Sequence, residues 1–154
     1  MTKIEEQIII QVAPATLFNL CHDLARWPEW DELVSYVELL SPAPLRKGSL
    51  LRVDSGQSAA AVYTYDAEMT EYHFPIRSAL RVLDAATSSP FVSGKSTWSF
   101  DSVSGGTRFS LTWEYRPRGI LGRLKNALGR AALTRRAIQR SLQNLKDMVE
   151  AEAE

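Results

Sequence analysis

Residues 107–115 read TRFSLTWEY and alternate between polar and apolar side chains without a break. One face of this stretch carries four large apolar side chains: Phe109, Leu111, Trp113 and Tyr115. A period of two is typical of a β-strand that buries one face and exposes the other. The stretch therefore predicts an antiparallel sheet with a single covered face, and the rest of the chain must supply its neighbours and its cover.

Six further segments are predicted as strands because they alternate in the same way and lie between turn-forming residues. They are residues 3–12, 33–40, 49–55, 59–69, 76–85 and 91–100. Short turns, such as the one over residues 55–57, separate the last six strands, which favours an antiparallel meander. The first strand can pair beside the last one, which gives seven strands in all. Glu6 falls on the otherwise apolar face of this first strand.

Two short helices are predicted between the first two strands. Pro14 suits a first helical turn, where its missing N–H would have no partner, so a helix is expected over residues 14–22. Pro28 prevents that helix from simply continuing, and a single extra turn over residues 28–31 fits the sequence WPEWDE.

The carboxy-terminal segment returns to a helical period. Its apolar residues lie three or four positions apart on one stripe: Leu121, Leu124, Leu128, Ala131, Ile138, Leu142, Leu145 and Val149. Arg135 occupies one position of this stripe, and Gly129 predicts a kink or a break. A helix over residues 130–150 would be about 30 Å long, enough to cross a sheet. Because a sheet with one apolar face must be covered, this helix is expected to cover it.

Composition places the chain among globular proteins with one domain over residues 1–154. The hydrophobic share is 45% and the charged share 23%, which is too apolar for a disordered chain. The single cysteine, Cys21, excludes an internal disulfide and fits a reducing cytoplasm. No signal peptide and no apolar run of about 20 residues is present. A soluble cytoplasmic protein is therefore expected.

Charge is unevenly distributed although the formal net charge is zero. Residues 116–146 hold nine Lys and Arg and no acidic residue. This segment is either the solvated outer face of a helix or, together with Ile120, Leu121 and Leu124, a weak contact for an anionic membrane surface. Nucleic acid is not expected as a partner, because no aromatic residue is interleaved with the basic ones and the domain is not basic overall.

Four stretches resemble the START-like, helix-grip (SRPBCC) superfamily, and within it the bacterial polyketide cyclase/dehydrase-like branch. They are IQVAPATLF (10–18), DLARWPEWD (23–31), GGTR (105–108) and SLQNLK (141–146). The resemblance implies an α+β fold in which a seven-stranded curved antiparallel sheet grips the long carboxy-terminal helix, with two short helices at one end. It also implies an internal cavity for a small hydrophobic ligand. The superfamily includes carriers, receptors and enzymes, so it does not decide the activity.

Trp27 and Trp30 are expected beside this cavity, where the short helices close one end of it. They act either as packing anchors or as ligand contacts, and Trp30 is expected to reach the cavity mouth. The predicted ligand-binding residues, taken from the inward faces, are Trp30, Tyr63, Tyr65, Met69, Trp98, Trp113 and Arg135. Tyrosine and tryptophan add a hydrogen-bonding group to a large apolar surface, which suits a ring-bearing ligand. Simple core packing is the alternative for each aromatic residue.

Catalytic candidates are limited to Glu6 and Arg135, the two charges on apolar faces. They could pair with each other, reach solvent, or polarise a carbonyl and take a proton. His22 and His73 are far apart in sequence and no ligand cluster surrounds them, so no metal is expected. No dinucleotide or phosphate motif is present, and no cofactor is expected.

The favoured interpretation is binding or transport of a small hydrophobic molecule, such as a lipid, a quinone or a polyketide-like aromatic. One alternative is a cyclase or dehydratase acting on a polyketide-like substrate in the same cavity. A second alternative is a peripheral membrane-associated lipid carrier that uses the basic carboxy-terminal region. Monomer and homodimer both remain open.

Overall fold

The computed structural model describes residues 1–56 and 63–153. Its strands are β1 (Thr2–Ile10), β2 (Tyr36–Leu39), β3 (Leu50–Ser55), β4 (Tyr63–His73), β5 (Arg77–Ala85), β6 (Phe91–Val103) and β7 (Gly106–Pro117). Its helices are α1 (Pro14–Cys21), α2 (Trp27–Trp30), α3 (Gly119–Lys125) and α4 (Ala131–Glu152), and a π-helical turn (Asn126–Arg130) joins the last two. Residues 59–62 of the predicted fourth strand, and the end of the predicted turn over 55–57, lie outside the described residues.

The strands form one antiparallel sheet in the order β1-β7-β6-β5-β4-β3-β2. Strands β2 to β7 follow one another as a meander. The last strand, β7, also pairs with β1 along the whole length of β1, with Thr2 opposite Tyr115 and Ile10 opposite Thr107. This arrangement confirms the predicted helix-grip fold with seven strands, two short helices and a long final helix.

The turn between β6 and β7 depends on two adjacent glycines. Gly105 has a φ of +83°, in the left-handed region that favours glycine. At Gly106, a Cβ atom would lie 2.1 Å from the carbonyl oxygen of Ile10. The GGTR motif therefore allows both the tight turn and the close approach of β1 to β7.

The carboxy-terminal half of α4 packs on the sheet as predicted. Its buried apolar residues on the predicted stripe are Ile138, Leu142, Leu145 and Val149. This half contacts β1 and α2, and α1 adds its buried residues Leu17, Phe18 and Cys21 to the same core. Burial raises the pKa of the Cys21 thiol well above its usual value, so the thiol is inert at neutral pH.

The amino-terminal part of the apolar stripe, which precedes the helix predicted over residues 130–150, is not buried. Leu121, Leu124 and Leu128 are 73%, 54% and 77% exposed. Gly129, with a φ of +140°, interrupts the helix as predicted. The residues before Gly129 consequently do not continue the face of α4 that meets the sheet.

Candidate ligand-binding site

The described residues bound a cavity of about 970 Å³ between the inner face of the sheet and the amino-terminal half of α4. Strands β4 to β7 form one wall, the segment after α2 forms one end, and the π-helical turn and the start of α4 form the opposite side. Small-molecule sites in proteins typically have volumes of about 300–1,000 Å³. The space is therefore large enough for a multi-ring ligand.

Aromatic rings form the sheet wall of this cavity. The ring of Phe91 packs edge-on against Trp113 at 5.2 Å and against Tyr65 at 5.6 Å between centroids, and Trp113 stacks on Tyr115 at 5.7 Å. Such contacts hold each ring in a defined orientation. Burial raises the pKa of the Tyr63 and Tyr65 hydroxyls, so both stay neutral and can donate or accept a hydrogen bond.

Gly94 on β6 makes room for one of these rings. A Cβ atom at this position would lie 2.3 Å from the indole of Trp113. The absence of a side chain on β6 thus allows the indole on the neighbouring strand β7 to lie across the strand and form part of the cavity wall.

A polar cluster lies at the end of the cavity next to α2, with the carboxylate of Asp31 at its centre. Its Oδ2 accepts a hydrogen bond from Nε1 of Trp27 at 2.9 Å, and its Oδ1 accepts one from the backbone N–H of Leu33 at 2.9 Å. The Ser141 hydroxyl on α4 lies 3.4 Å from Oδ1. Burial raises the pKa of Asp31, and these three hydrogen bonds oppose the rise because they favour the charged form.

His22 lies in a separate part of the interior. Its Nδ1–H donates to the carbonyl of Phe18 at 2.7 Å, which leaves Nε2 to accept from the Ser78 hydroxyl at 2.7 Å. Burial lowers the pKa of His22 to about 4, so the imidazole is neutral at pH 7. Met69 and His22 line a small space of about 20 Å³ beside this ring, not the large cavity.

Four of the seven predicted ligand-binding residues line the large cavity: Tyr63, Tyr65, Trp98 and Trp113. Met69, Trp30 and Arg135 do not line it. That these four residues bind a ligand stays a prediction.

The expectation that Trp30 reaches the cavity mouth is wrong. Trp30 is only 1% exposed, and its ring packs against Trp98 and Phe109 in the core. Trp27 lines the cavity instead and carries the hydrogen bond to Asp31. The short helix α2 turns Trp30 towards the sheet, so one tryptophan anchors the helix and the other reaches the cavity wall.

Glu6 and Arg135 pair with each other outside the cavity. Nη1 of Arg135 lies 2.6 Å from Oε1 of Glu6, and Nε2 of Gln139 lies 3.2 Å from the same oxygen. Because β1 is an edge strand, Glu6 reaches the flank of α4 and partly meets solvent. Of the roles considered from the sequence, mutual pairing and contact with solvent match this geometry.

Asp31 was not predicted from the sequence, although two local signals point to it. It is an acidic residue directly after a helical turn, and its carboxylate bonds to the N–H two residues on, as aspartate commonly does in turns. The bond from Trp27 is local as well, since residues four apart lie on one face of a helical turn, whereas the proximity of α4 depends on tertiary structure. Among residues 1–56 and 63–153, no group of three or more His, Cys, Asp or Glu side chains could hold a metal ion.

Comparison with known proteins places this fold and cavity in a family. The family described as polyketide cyclase/dehydrase and lipid transport matches residues 1–150. The chain belongs to this family. No curated protein matches the chain in sequence.

Solved structures share the fold at low sequence identity. TTHA0849 from Thermus thermophilus aligns with a TM-score of 0.81 and 20% identity over 99% of this chain and 100% of its own. The Zhui aromatase/cyclase from Streptomyces sp. R1128 aligns with a TM-score of 0.79 and 15% identity over 99% and 96%. The di-domain aromatase/cyclase StfQ of the steffimycin biosynthetic pathway aligns with a TM-score of 0.74 and 12% identity over 98% of this chain and 51% of its own. At these identities the likeness establishes the fold alone.

Proposed function

We propose that this protein binds and carries a small, ring-bearing hydrophobic ligand in the cavity between the sheet and α4. The observation that carries the proposal is the cavity of about 970 Å³ with an aromatic wall. A well-packed interior has few voids larger than a water molecule, so a space of this size between sheet and helix supports a binding role. We place the carrier in the cytoplasm, in keeping with its single reduced cysteine.

The chemistry of the wall supports an aromatic or quinone-like ligand over a simple aliphatic chain. The rings of Tyr65, Phe91 and Trp113 offer faces and edges against which a planar ring can stack. Tyrosine hydroxyls and the Asp31 end of the cavity supply polar groups that fix the orientation of a bound molecule. A cyclase or dehydratase acting on a polyketide-like substrate would use the same cavity, and two neighbours in fold, Zhui and StfQ, are named aromatase/cyclases.

The test is a titration followed by tryptophan fluorescence, since Trp27, Trp98 and Trp113 all line the cavity. We expect 2-naphthol and a short-chain benzoquinone to bind and to quench the emission. Tyr65→Ala should weaken binding at least about tenfold, because it removes buried apolar contact. Tyr36→Ala is the matched control, since Tyr36 is a tyrosine that is 58% exposed. Equal effects of the two variants, or no binding by the folded wild type, would overturn the proposal.

Native mass spectrometry separates the carrier from the enzyme. The protein is incubated with an extract of aromatic polyketides, and the bound molecules are compared in mass with the free ones. A ligand recovered unchanged supports carriage. A product that has lost water, formed in the presence of wild type and absent with Tyr65→Ala, supports the cyclase or dehydratase alternative.

A second candidate function is delivery of the ligand at an anionic membrane surface. One observation favours it: a cluster of exposed apolar side chains on α3, the π-helical turn and the start of α4, which we call the cap. Its apolar members are Ile120, Leu121, Leu124, Leu128 and Leu133. Leu128 and Leu133 also line the cavity, so the cap lies at the cavity opening. No helix within the described ranges is long and apolar enough to cross a membrane, so any contact would be peripheral.

The charges around the cap suit an anionic surface. Lys125, Arg130 and Arg136 line the same opening, and none of them forms an ion pair with a described residue. Apolar side chains flanked by Lys and Arg are typical of segments that lie in the interface of anionic bilayers.

Liposome flotation tests this second function. We expect salt-sensitive association with vesicles that contain phosphatidylserine and none with phosphatidylcholine alone. Leu121→Ser combined with Leu124→Ser should abolish flotation. Leu83→Ser is the control, because Leu83 is 47% exposed on β5 and lies outside the cap. Flotation that survives the double substitution would exclude the cap as the docking surface.

A further inference from the structure

An acidic side chain lines the cavity, and binding of a ligand by the aromatic wall gives it no role. Asp31 is the single acidic residue among the described residues that line the cavity, and it is 9% exposed. No described cation pairs with it: Arg140 lines the same cavity, but its Nε lies 2.7 Å from Glu32. A buried carboxylate without a cation must be stabilised by hydrogen bonds.

The described residues leave an acceptor position free on Oδ2 of this carboxylate. Each carboxylate oxygen can accept about two hydrogen bonds. Oδ1 accepts from the N–H of Leu33 at 2.9 Å, and the Ser141 hydroxyl, which donates to the carbonyl of Ala137 at 2.9 Å, lies 3.4 Å from it. Oδ2 accepts only from Nε1 of Trp27. A donor inside the cavity could therefore bond to Oδ2 without displacing a protein group.

The charges at the cavity opening decide which kind of donor fits. An ammonium group would have to pass Lys125, Arg130 and Arg136, which line the opening and repel a cation. A neutral hydroxyl meets no such barrier. Tyr63 and Tyr65 line the same cavity as Asp31.

We propose that Oδ2 of Asp31 accepts a hydrogen bond from a hydroxyl of the ligand, so that Asp31 makes the cavity selective for phenols and enols. The inference rests on the proposed function, because it names the polar group of the ligand held in that cavity. The apolar rings of the ligand lie along the aromatic wall, and its hydroxyl lies at the end next to α2. Asp31 acts here as a specificity-determining residue.

The experiment compares two probes that differ in one donor, 2-naphthol and its methyl ether, 2-methoxynaphthalene. We expect wild type to bind the naphthol at least about tenfold more tightly, the difference that a hydrogen bond to a charged group typically makes. Asp31→Asn should reduce this preference at least about fivefold, because an amide presents an N–H at one of the two positions. Tyr63→Phe, which keeps Asp31 and removes a neighbouring hydroxyl, should retain the preference.

The outcomes separate this inference from the proposed function. Equal affinity of wild type for both probes overturns the inference and leaves the ligand-binding function standing, whereas no binding of either probe overturns both. If Tyr63→Phe loses the preference and Asp31→Asn keeps it, the hydroxyl of the ligand bonds to Tyr63 and not to Asp31, which overturns the inference. Since Asp31→Asn also weakens bonds to Trp27 and Leu33, its fold is checked by circular dichroism. If it does not fold, a crystal structure of wild type with 2-naphthol decides, by placing the naphthol oxygen within or beyond about 3.2 Å of Oδ2.

Discussion

Trp27 and Trp30 lie three residues apart on the same short helix, yet their indole nitrogens have different surroundings. Nε1 of Trp27 donates to Asp31 at 2.9 Å, whereas Nε1 of Trp30 is buried and has no hydrogen-bond partner among the described residues. The sequence predicted that the pair lies beside the cavity, but spacing alone could not decide which of the two reaches it. That choice depends on how α2 is tilted between the sheet and α4.

We expect Trp27→Phe to lower the free energy of unfolding by roughly 1 kcal/mol or more beyond the loss caused by Trp30→Phe. The first substitution removes a hydrogen bond and leaves a buried carboxylate less well satisfied, while the second removes an N–H that has no described partner. Urea unfolding of both variants measures the difference. A Trp30→Phe variant that is less stable than Trp27→Phe would show that packing around the larger ring outweighs the hydrogen bond.

His22 should make stability depend on pH in the acid range. Its folded pKa of about 4 lies below the ordinary value of 6.5, so the unfolded chain binds a proton more readily than the folded one. The contribution of neutral His22 to the free energy of unfolding is therefore fully present above about pH 6.5. It is lost as the pH drops through about 4, and the total loss is about 3 kcal/mol. Urea unfolding at several pH values should show a flatter profile for His22→Gln. Parallel pH profiles of wild type and His22→Gln would contradict a neutral buried His22. The raised pKa of Asp31 changes stability with pH in the opposite direction, but it does so in both proteins and therefore cancels in the comparison.

Helices and strands were predicted well where one face of the periodic pattern contacts the core along the whole element. The alternation in β7 and the buried half of α4 fit this condition, because each contacts the core along its length. Over α3 and the π-helical turn, leucines at the same helical spacing lie in solvent, so the pattern alone did not decide their burial. Helical spacing indicates only that apolar residues share one face of a helix. Because the helix is interrupted at Gly129, the face before the break need not contact the sheet that the face after it contacts.

On β6, Gly94→Ala should disturb the cavity wall more than the strand itself. The backbone at this position suits any residue, but the new methyl group would overlap the Trp113 indole, which must move. We expect a cost of about 1–3 kcal/mol from overpacking and a changed tryptophan emission. Ser102→Ala, an exposed position on the same strand, is the control and should change neither. Unchanged stability and emission in Gly94→Ala would show that the indole moves without cost.

At the scale of the whole molecule, α4 divides the interior into two parts. Its carboxy-terminal half fills the space above the sheet with Leu142, Leu145 and Val149, and its amino-terminal half lies over the cavity. A folded protein with an unfilled cavity forgoes the packing contacts that a ligand would add. Binding should consequently raise the stability of the protein as one unit.

We expect 2-naphthol at about 100 times its Kd to stabilise the protein by about 2.7 kcal/mol, the value that mass action gives for one site on the folded state. Thermal unfolding followed by circular dichroism measures this shift. Tyr65→Ala at the same naphthol concentration should shift less, in proportion to its weaker binding. A shift of the same size in both proteins would place the ligand outside this cavity.

The sequence alone determined the order of the elements, the inward face of β7, the break at Gly129 and the family to which the chain belongs. These features follow from local periodicity, from glycine and proline conformation, and from motifs that are contiguous in the chain. The tertiary structure alone decided that Asp31 lies beside Ser141, 110 residues away, that Glu6 pairs with Arg135 outside the cavity, and that the cap leucines are exposed. Each of these contacts joins side chains from elements whose distance and tilt depend on the packing of the whole sheet against α4, and no local pattern in the sequence encodes that packing.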